Sequence, residues 1–285
     1  MASNKILTIQ DISCVGQCSL TVALPIISAC GIECAVLPSA VLSTHTAGFT
    51  GFTVRDLTDD IPGIREHWMK EVIKFSAIYT GYLGSTQQIN YVAALFRDVS
   101  TDDCITVVDP AMADNGKLYP GFDDAFVEAM KGLCSKADYL VPNITEACFL
   151  TGMEYHESYN ETYINDLMSA LHALGAKTVV LTGVSFHPEQ TGVMISEQGV
   201  LSYYPHRRLP ESCHGTGDVY ASAFVGALMK GLDAYTAAKI AADYTLICME
   251  NTRGDKDHTY GVKFEPMLGT LMDMIHIARK MAARN

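Results

Sequence analysis

No stretch of about 18 uncharged apolar residues, the length a membrane helix needs, occurs in this chain, although 48% of its residues are hydrophobic. A transmembrane span is therefore not expected. The opening MASNKILTIQD also lacks the long apolar region and small-residue cleavage site of a signal peptide, and reads instead as the approach to a strand. Basic residues are scarce. Against 32 Asp and Glu stand 20 Lys and Arg, a formal charge of −12, which argues against a nucleic-acid backbone as partner. A small anion is still compatible, because a few donors and one helix N-terminus can hold phosphate inside an acidic protein. The nine cysteines are odd in number and scattered through apolar segments, so reduced, largely buried thiols in a cytoplasmic protein are expected. Cys14 and Cys18 have no second pair at zinc-site spacing, and plain thiols are the expectation there too. Internal repeats, low-complexity tracts and linkers are missing, and 285 residues suit one large α/β domain.

Two familiar phosphate signatures are also absent. There is no GxxxxGK[ST] loop and no lysine near the glycines that matter below; nor does a GxGxxG follow the first strand, where GQCS at 16–19 is too sparse to replace it.

What is present alternates between strand and helix. Residues 5–10 predict a first strand, 18–30 a helix closed by Gly31, and 33–38 a second strand. The stretch VLSTHTAGFTGFTV, at 41–54, is β-branched, aromatic and broken by glycines, and predicts a small β flap. FSAIYTG, CITVVDP, YLVPN and TVVLTG read as short apolar strands between helical stretches at 85–99, 122–134, 144–151 and 161–174. Strands without polar alternation belong where helices cover both faces. The fold predicted is therefore α/β, a doubly wound and mostly parallel sheet with helices on both faces. Two alternating segments meet at Glu197-Gln198-Gly199 and predict an antiparallel hairpin at the sheet edge. Helices at 217–230, 234–250 and 265–282 complete one domain over 1–285.

The sharpest local feature is SCHGTGDVYASAFVGALMKG, at 212–231. Gly215 and Gly217 flank Thr216 ahead of an apolar helix, so a tight turn can aim successive N–H groups at one anion. The helix end adds about half a positive charge there. Asp218, in the first helical turn, has three readings: a cap, a metal contact, or a base that takes the proton of an attacking hydroxyl. Asp109 ends one strand, with Asp114 five residues on; Asn143 ends another, with Glu146 three residues on. In an open α/β sheet these strand ends can face one crevice. Magnesium would give Asp109, Asp114 and Glu146 a reason to approach phosphate, whereas a capping box would explain Asn143 and Glu146 without any ligand. Thr46 and Tyr82 are candidate substrate groups that fit a structural role equally well, and Trp68 reads as core.

The chain resembles the ribokinase-like superfamily, in particular its pyridoxal kinase branch. The resemblance runs through ILTIQD…VGQCS, STHTAGF, YTGYLGS, VVDPAMAD, VPNITEACFLTG, VVLTG and HGTGDVYASAF. It implies a kinase that moves the γ-phosphoryl of ATP onto the 5′-hydroxymethyl group of a B6 vitamer. Gly215, Thr216 and Gly217 would form the anion hole and Asp218 the base. Asp109 and Glu146 would bear on magnesium and the phosphates, with Asn143 nearby, Asp114 near the γ-phosphate and Thr182 at a nucleotide phosphate. Thr46 and Tyr82 would line the ring pocket. The resemblance also implies a homodimer and raises potassium as a second candidate ion. One position departs from the family: where its members typically read IQSHV, this chain reads Ile9-Gln10-Asp11-Ile12-Ser13, which puts Asp11 against the ring. Hydroxymethylpyrimidine kinase, a sugar kinase and a non-catalytic nucleotide sensor are the alternatives. Members of the first commonly carry cysteine where this chain has Asp218.

Overall fold

The computed structural model describes residues 5–46, 48–211 and 213–283, so Ala47 of the flap and Ser212 of the glycine-rich run lie outside the described residues. The chain begins with β1 (Lys5–Ser13), α1 (Leu20–Ala29), β2 (Glu33–Leu42) and β3 (Val54–Asp56). Next come α2 (Ile61–Lys70), β4 (Phe75–Thr80), α3 (Thr86–Asp98) and β5 (Ser100–Val108). A short hairpin of β6 (Ala113–Asp114) and β7 (Lys117–Leu118) precedes α4 (Asp124–Cys134), β8 (Tyr139–Leu140), α5 (Ile144–Thr151) and α6 (Glu161–Ala173). The last part is β9 (Thr178–Val184), β10 (Gln190–Glu197), β11 (Val200–Arg207), α7 (Thr216–Met229), α8 (Ala234–Thr252) and α9 (Leu268–Ala282).

The main sheet has the order β11-β10-β9-β8-β5-β4-β1-β2-β3. Pairing is parallel from β2 through β9 and antiparallel at both margins, where β3 pairs β2 and the β10–β11 hairpin extends β9. Successive strand residues point to opposite faces, and both faces are buried. Ile6, Tyr79, Val107 and Val180 pack with α1, α7, α8 and α9 on one side. Leu7, Ile78, Val108 and Leu181 pack with α3, α4, α5 and α6 on the other. The apolar strands of the sequence are two interleaved faces, which is why they show no polar alternation. No helix among the described residues is long and apolar enough to cross a membrane.

Several elements differ from the sequence expectation. β1 and β2 run on to Ser13 and Leu42, because neighbouring strands supply partners for polar residues that look like turn. The flap is not a hairpin of its own: β2 and β3 pair at Ala40–Asp56, Val41–Arg55 and Leu42–Val54, and the segment between them is loop in the described residues. Gly48 and Gly51 there have φ of 83° and 72°, which β pairing does not accept. α2 is marked in the sequence only by the helix-like surroundings of Trp68, since Pro62 and Gly63 disguise its first turn.

Candidate active site

Helix N-termini leave their first N–H groups without intrahelical partners. Most helices here spend a side chain on that problem: Ser85, Asp123, Asn143, Asn160 and Asp233 each accept from the third residue beyond. α7 has no such cap. Gly215 occupies its N-cap position at φ 80°, and its carbonyl takes the Val219 N–H at 3.0 Å. The N–H groups of the first turn, over Thr216 and Gly217, thus remain available to an anion. The two glycines have different jobs. A Cβ on Gly215 would collide with the Gln17 carbonyl oxygen, whereas one on Gly217 would meet nothing within 4 Å. Gly215 makes the turn; Gly217 keeps the space in front of the helix clear.

Asp218 lies in the same turn, opposite the start of α1. The Ser19 backbone N–H donates to its carboxylate and opposes the other influences, but burial, reinforced by the charges on Asp109 and Asp11, pushes its pKa up to about 7. Ser19 itself sits at φ 52°, a costly conformation for a residue with a side chain, at the N-cap of α1, which also lacks a side-chain cap. Its hydroxyl reaches Asp11, so one serine ties both carboxylates together.

Asp109 and Glu146 meet where β5 ends and α5 begins. Asn143 and Glu146 do form a capping box: Asn143 Oδ1 accepts from Glu146 N at 2.9 Å and Glu146 Oε2 from Asn143 N at 2.8 Å. Glu146 Oε1 also accepts from Met112 N at 3.1 Å. Even so, with only 3% of the residue exposed, burial pushes the Glu146 carboxyl up to about 7. Asp109 is raised well above the usual range by burial and then by Glu146. The cap and the acidic-site readings therefore hold together. Asn143 Nδ2 donates to the Ala113 carbonyl at 2.9 Å, fastening the β6–β7 hairpin, and Asn143 bridges to Thr182, whose hydroxyl donates to the Pro142 carbonyl at 3.2 Å. Asp114 is exposed on that hairpin and accepts from Asn115, though its charge still acts on Glu146.

No group of three or more His, Cys, Asp or Glu side chains disposed to hold a metal ion occurs among the described residues. The Asp109–Glu146 pair, each member raised by burial and like charge, fits a magnesium ion that keeps most of its ligands as water and phosphate oxygen.

Asp11 belongs to β1 itself, at a register break against β2 between Gln10 and Ile12, and does not lie beyond the strand as the sequence reading had it. It is 5% exposed, accepts from Ser13 Oγ at 3.2 Å, and is raised by burial. Tyr82 stands beside it: burial, then the charges on Asp11 and Asp56, raise its phenol, and its ring stacks on Phe122 with centroids 5.6 Å apart. Thr46 is exposed, while its neighbour His45 is buried, feels the charge on Asp11 and has Nε2 2.9 Å from the Tyr260 carbonyl oxygen.

A profile of the phosphomethylpyrimidine kinase family matches residues 24–262. The chain belongs to that family. Pyridoxal kinase from Dictyostelium discoideum is 29% identical over 198 residues, which cover 67% of this chain but 63% of that relative. Pyridoxal kinase from Lactobacillus plantarum superposes with a TM-score of 0.88 at 32% identity, covering 95% of this chain and 97% of the other. A Bacteroides thetaiotaomicron protein assigned as a phosphomethylpyrimidine kinase, and crystallised with pyridoxal, superposes with a TM-score of 0.89 at 36% identity, over 94% of this chain and 96% of that one. These matches put the chain in the ribokinase-like pyridoxal kinase branch, and it is a kinase of the phosphomethylpyrimidine and pyridoxal kinase family.

At this candidate site, sequence reasoning missed Ser19, His45 and Tyr119. Tyr119 follows β7, and after burial its phenol is raised by the charges on Glu146, Asp109, Asp114 and Asp218 in turn. The residue itself remains 37% exposed. A short strand pair of two residues each carries no periodicity, so the hairpin that aims Tyr119 left no sequence signal.

Proposed function

We propose that this protein transfers the γ-phosphoryl group of ATP to the 5′-hydroxymethyl oxygen of pyridoxal and related B6 vitamers. The observation that carries this reading is the placement of Asp218 at the uncapped start of α7, with its pKa pushed up to about 7, within reach of the charges on Asp11, which stands beside Tyr82, and on Asp109, which is paired with Glu146. A base poised near neutral pH can accept a proton without holding it too weakly.

The acceptor's hydroxymethyl group binds with its O–H donating to Asp218. As its oxygen bonds to the γ-phosphorus, the proton passes to the carboxylate and the bond from phosphorus to the β–γ bridging oxygen breaks, releasing ADP. The N–H groups over Thr216 and Gly217 receive charge on the moving phosphoryl oxygens. Asp109 and Glu146 would hold magnesium, which when bound offsets phosphate charge, with Asp114, Asn143 and Thr182 along the same edge toward the nucleotide. Asp11 and Tyr82 hold the ring, and Tyr119 covers the acidic end.

Pyridoxal is favoured over hydroxymethylpyrimidine by the presence of Asp218 where that rival branch commonly has cysteine, and by the relative crystallised with pyridoxal. The test is a panel of pyridoxal, pyridoxine, pyridoxamine, hydroxymethylpyrimidine and ribose with magnesium-ATP, read by product mass. Phosphorylated B6 vitamers at the highest kcat/KM are expected. Preference for hydroxymethylpyrimidine would replace this reading with the rival kinase.

A further inference from the structure

Six buried side-chain polar atoms lack a hydrogen-bond partner among the described residues, and three of them, Gln10 Oε1, the Tyr79 hydroxyl and Ser222 Oγ, belong to one place. Gln10, on β1, turns its amide nitrogen to Thr8 Oγ1 at 3.0 Å, which leaves its oxygen facing away, beside Gly81. Tyr79, on β4, points to the α7 side of the sheet. Ser222 is four residues after Asp218 on α7 and so shares its face of the helix. Its hydroxyl does not bond back to the preceding turn, as a helical serine often does. Gln10 stands on the same sheet face two residues from Thr8, which pairs with Tyr79. Gln10 and Ser222 come within hydrogen-bonding influence of the Tyr79 hydroxyl, which also feels the charges on Asp109 and Asp218, but neither meets it at full hydrogen-bond distance and angle. All three residues are 0% exposed.

An orphaned buried polar atom is costly to a fold. Three around one spot are the setting in which proteins bury an ordered water, which makes about three hydrogen bonds. We propose that Gln10, Tyr79 and Ser222 enclose a buried water, and that this network, strung from β1 and β4 to the second turn of α7, positions Asp218 for phosphoryl transfer. Tyr79 is then a positioning residue: it touches no substrate, and acts by fixing the helix that carries the base. The inference rests on the kinase reading for its functional half.

The test compares wild type with Tyr79→Phe and with Ser222→Ala, the second being a change that an α-helix accepts readily. Each should lower kcat by roughly 3- to 30-fold, the reach of one buried hydrogen bond, with KM for magnesium-ATP and for pyridoxal within about twofold of wild type. Melting temperature should fall in both. A crystal structure of the wild-type protein should show an ordered water bonded to the Tyr79 hydroxyl and to Ser222. If the site were merely a poorly paired corner of the core, deleting the orphaned hydroxyl would leave kcat alone and raise the melting temperature. That result overturns the proposal, as does a crystal structure with no water between the three atoms, or a loss seen only in KM. If wild type phosphorylates none of the acceptors, the kinase reading fails separately, and the melting temperatures and the water still decide the network.

Discussion

Asp218 is under two opposed demands. As a base it must be ionised, yet burial and Asp109 favour its protonated form. The sign follows from its raised pKa. The unfolded chain releases this proton near the ordinary value of 3.8 and the folded chain only near 7, so the folded state loses stability as pH rises between them and regains none above. Asp218→Asn should therefore stabilise the protein at pH 8, by about 1–2 kcal/mol once residual solvation is allowed for, and hardly at all at pH 4. The same substitution should lower kcat by at least about 100-fold while nucleotide binding persists. Thermal melts at the two pH values, with turnover and nucleotide titration, check both halves. Turnover within threefold of wild type would remove Asp218 from the chemistry. Asp11 poses a different question, because it serves Ser13 and Ser19 as well as facing Tyr82. Asp11→Ser should change kcat/KM unequally among pyridoxal, pyridoxine and hydroxymethylpyrimidine, by roughly 2- to 12-fold, and leave KM for ATP nearly fixed. Equal losses for all three, with a lower melting temperature, would make Asp11 a purely structural link.

At the scale of elements, the start of α7 separates folding from catalysis in two glycines on either side of Thr216. Gly215→Ala should impair folding, because its Cβ meets backbone at Gln17 and its φ of 80° disfavours any side chain. Gly217→Val has open space around it, so it should fold and yet lose activity by crowding the phosphoryl position. Soluble yield and circular dichroism set against kcat distinguish the two; full activity in Gly217→Val would show that phosphate does not sit there. The same contrast marks how far sequence could be read. α7, the β10–β11 hairpin and the cores of β5 and β8 were legible because an apolar run, an alternating pair or a turn residue marks each one, although the strands stop at Val108 and Leu140, and Asn143 caps α5 instead of ending a strand. The separate roles of Gly215 and Gly217 were not, since they depend on a loop some 200 residues away in sequence. Ser19 was illegible for the same reason: its N–H and hydroxyl join carboxylates from two distant elements. The β5 start was misplaced because Ser100–Asp103 is polar and partly exposed, a strand end in solvent that looks like loop.

For the whole molecule, the acids gathered at the carboxyl ends of β1, β5 and β8 and at the start of α7 form a region of self-repulsion within a chain of charge −12. Magnesium-ATP should relieve it. Binding at 100 times Kd adds about 2.7 kcal/mol, or a rise in melting temperature of roughly 4–5 °C for a domain of this size. ATP with a chelator should give much less, since phosphate would then meet unshielded carboxylates; equal shifts with and without the ion would exclude Asp109 and Glu146 from holding it. The two cores divided by the sheet have a further consequence, for the lengths this chain can tolerate. Because Ile78 and Tyr79 enter opposite cores, removing one residue from β4 would exchange every side chain beyond the cut between the two sides and carry Tyr79 away from α7. The loop between β2 and β3 obeys no such parity. Insertions and deletions among relatives should therefore collect there and be excluded from β4, β5 and β9, which makes gap placement a record of the sheet's two-sidedness.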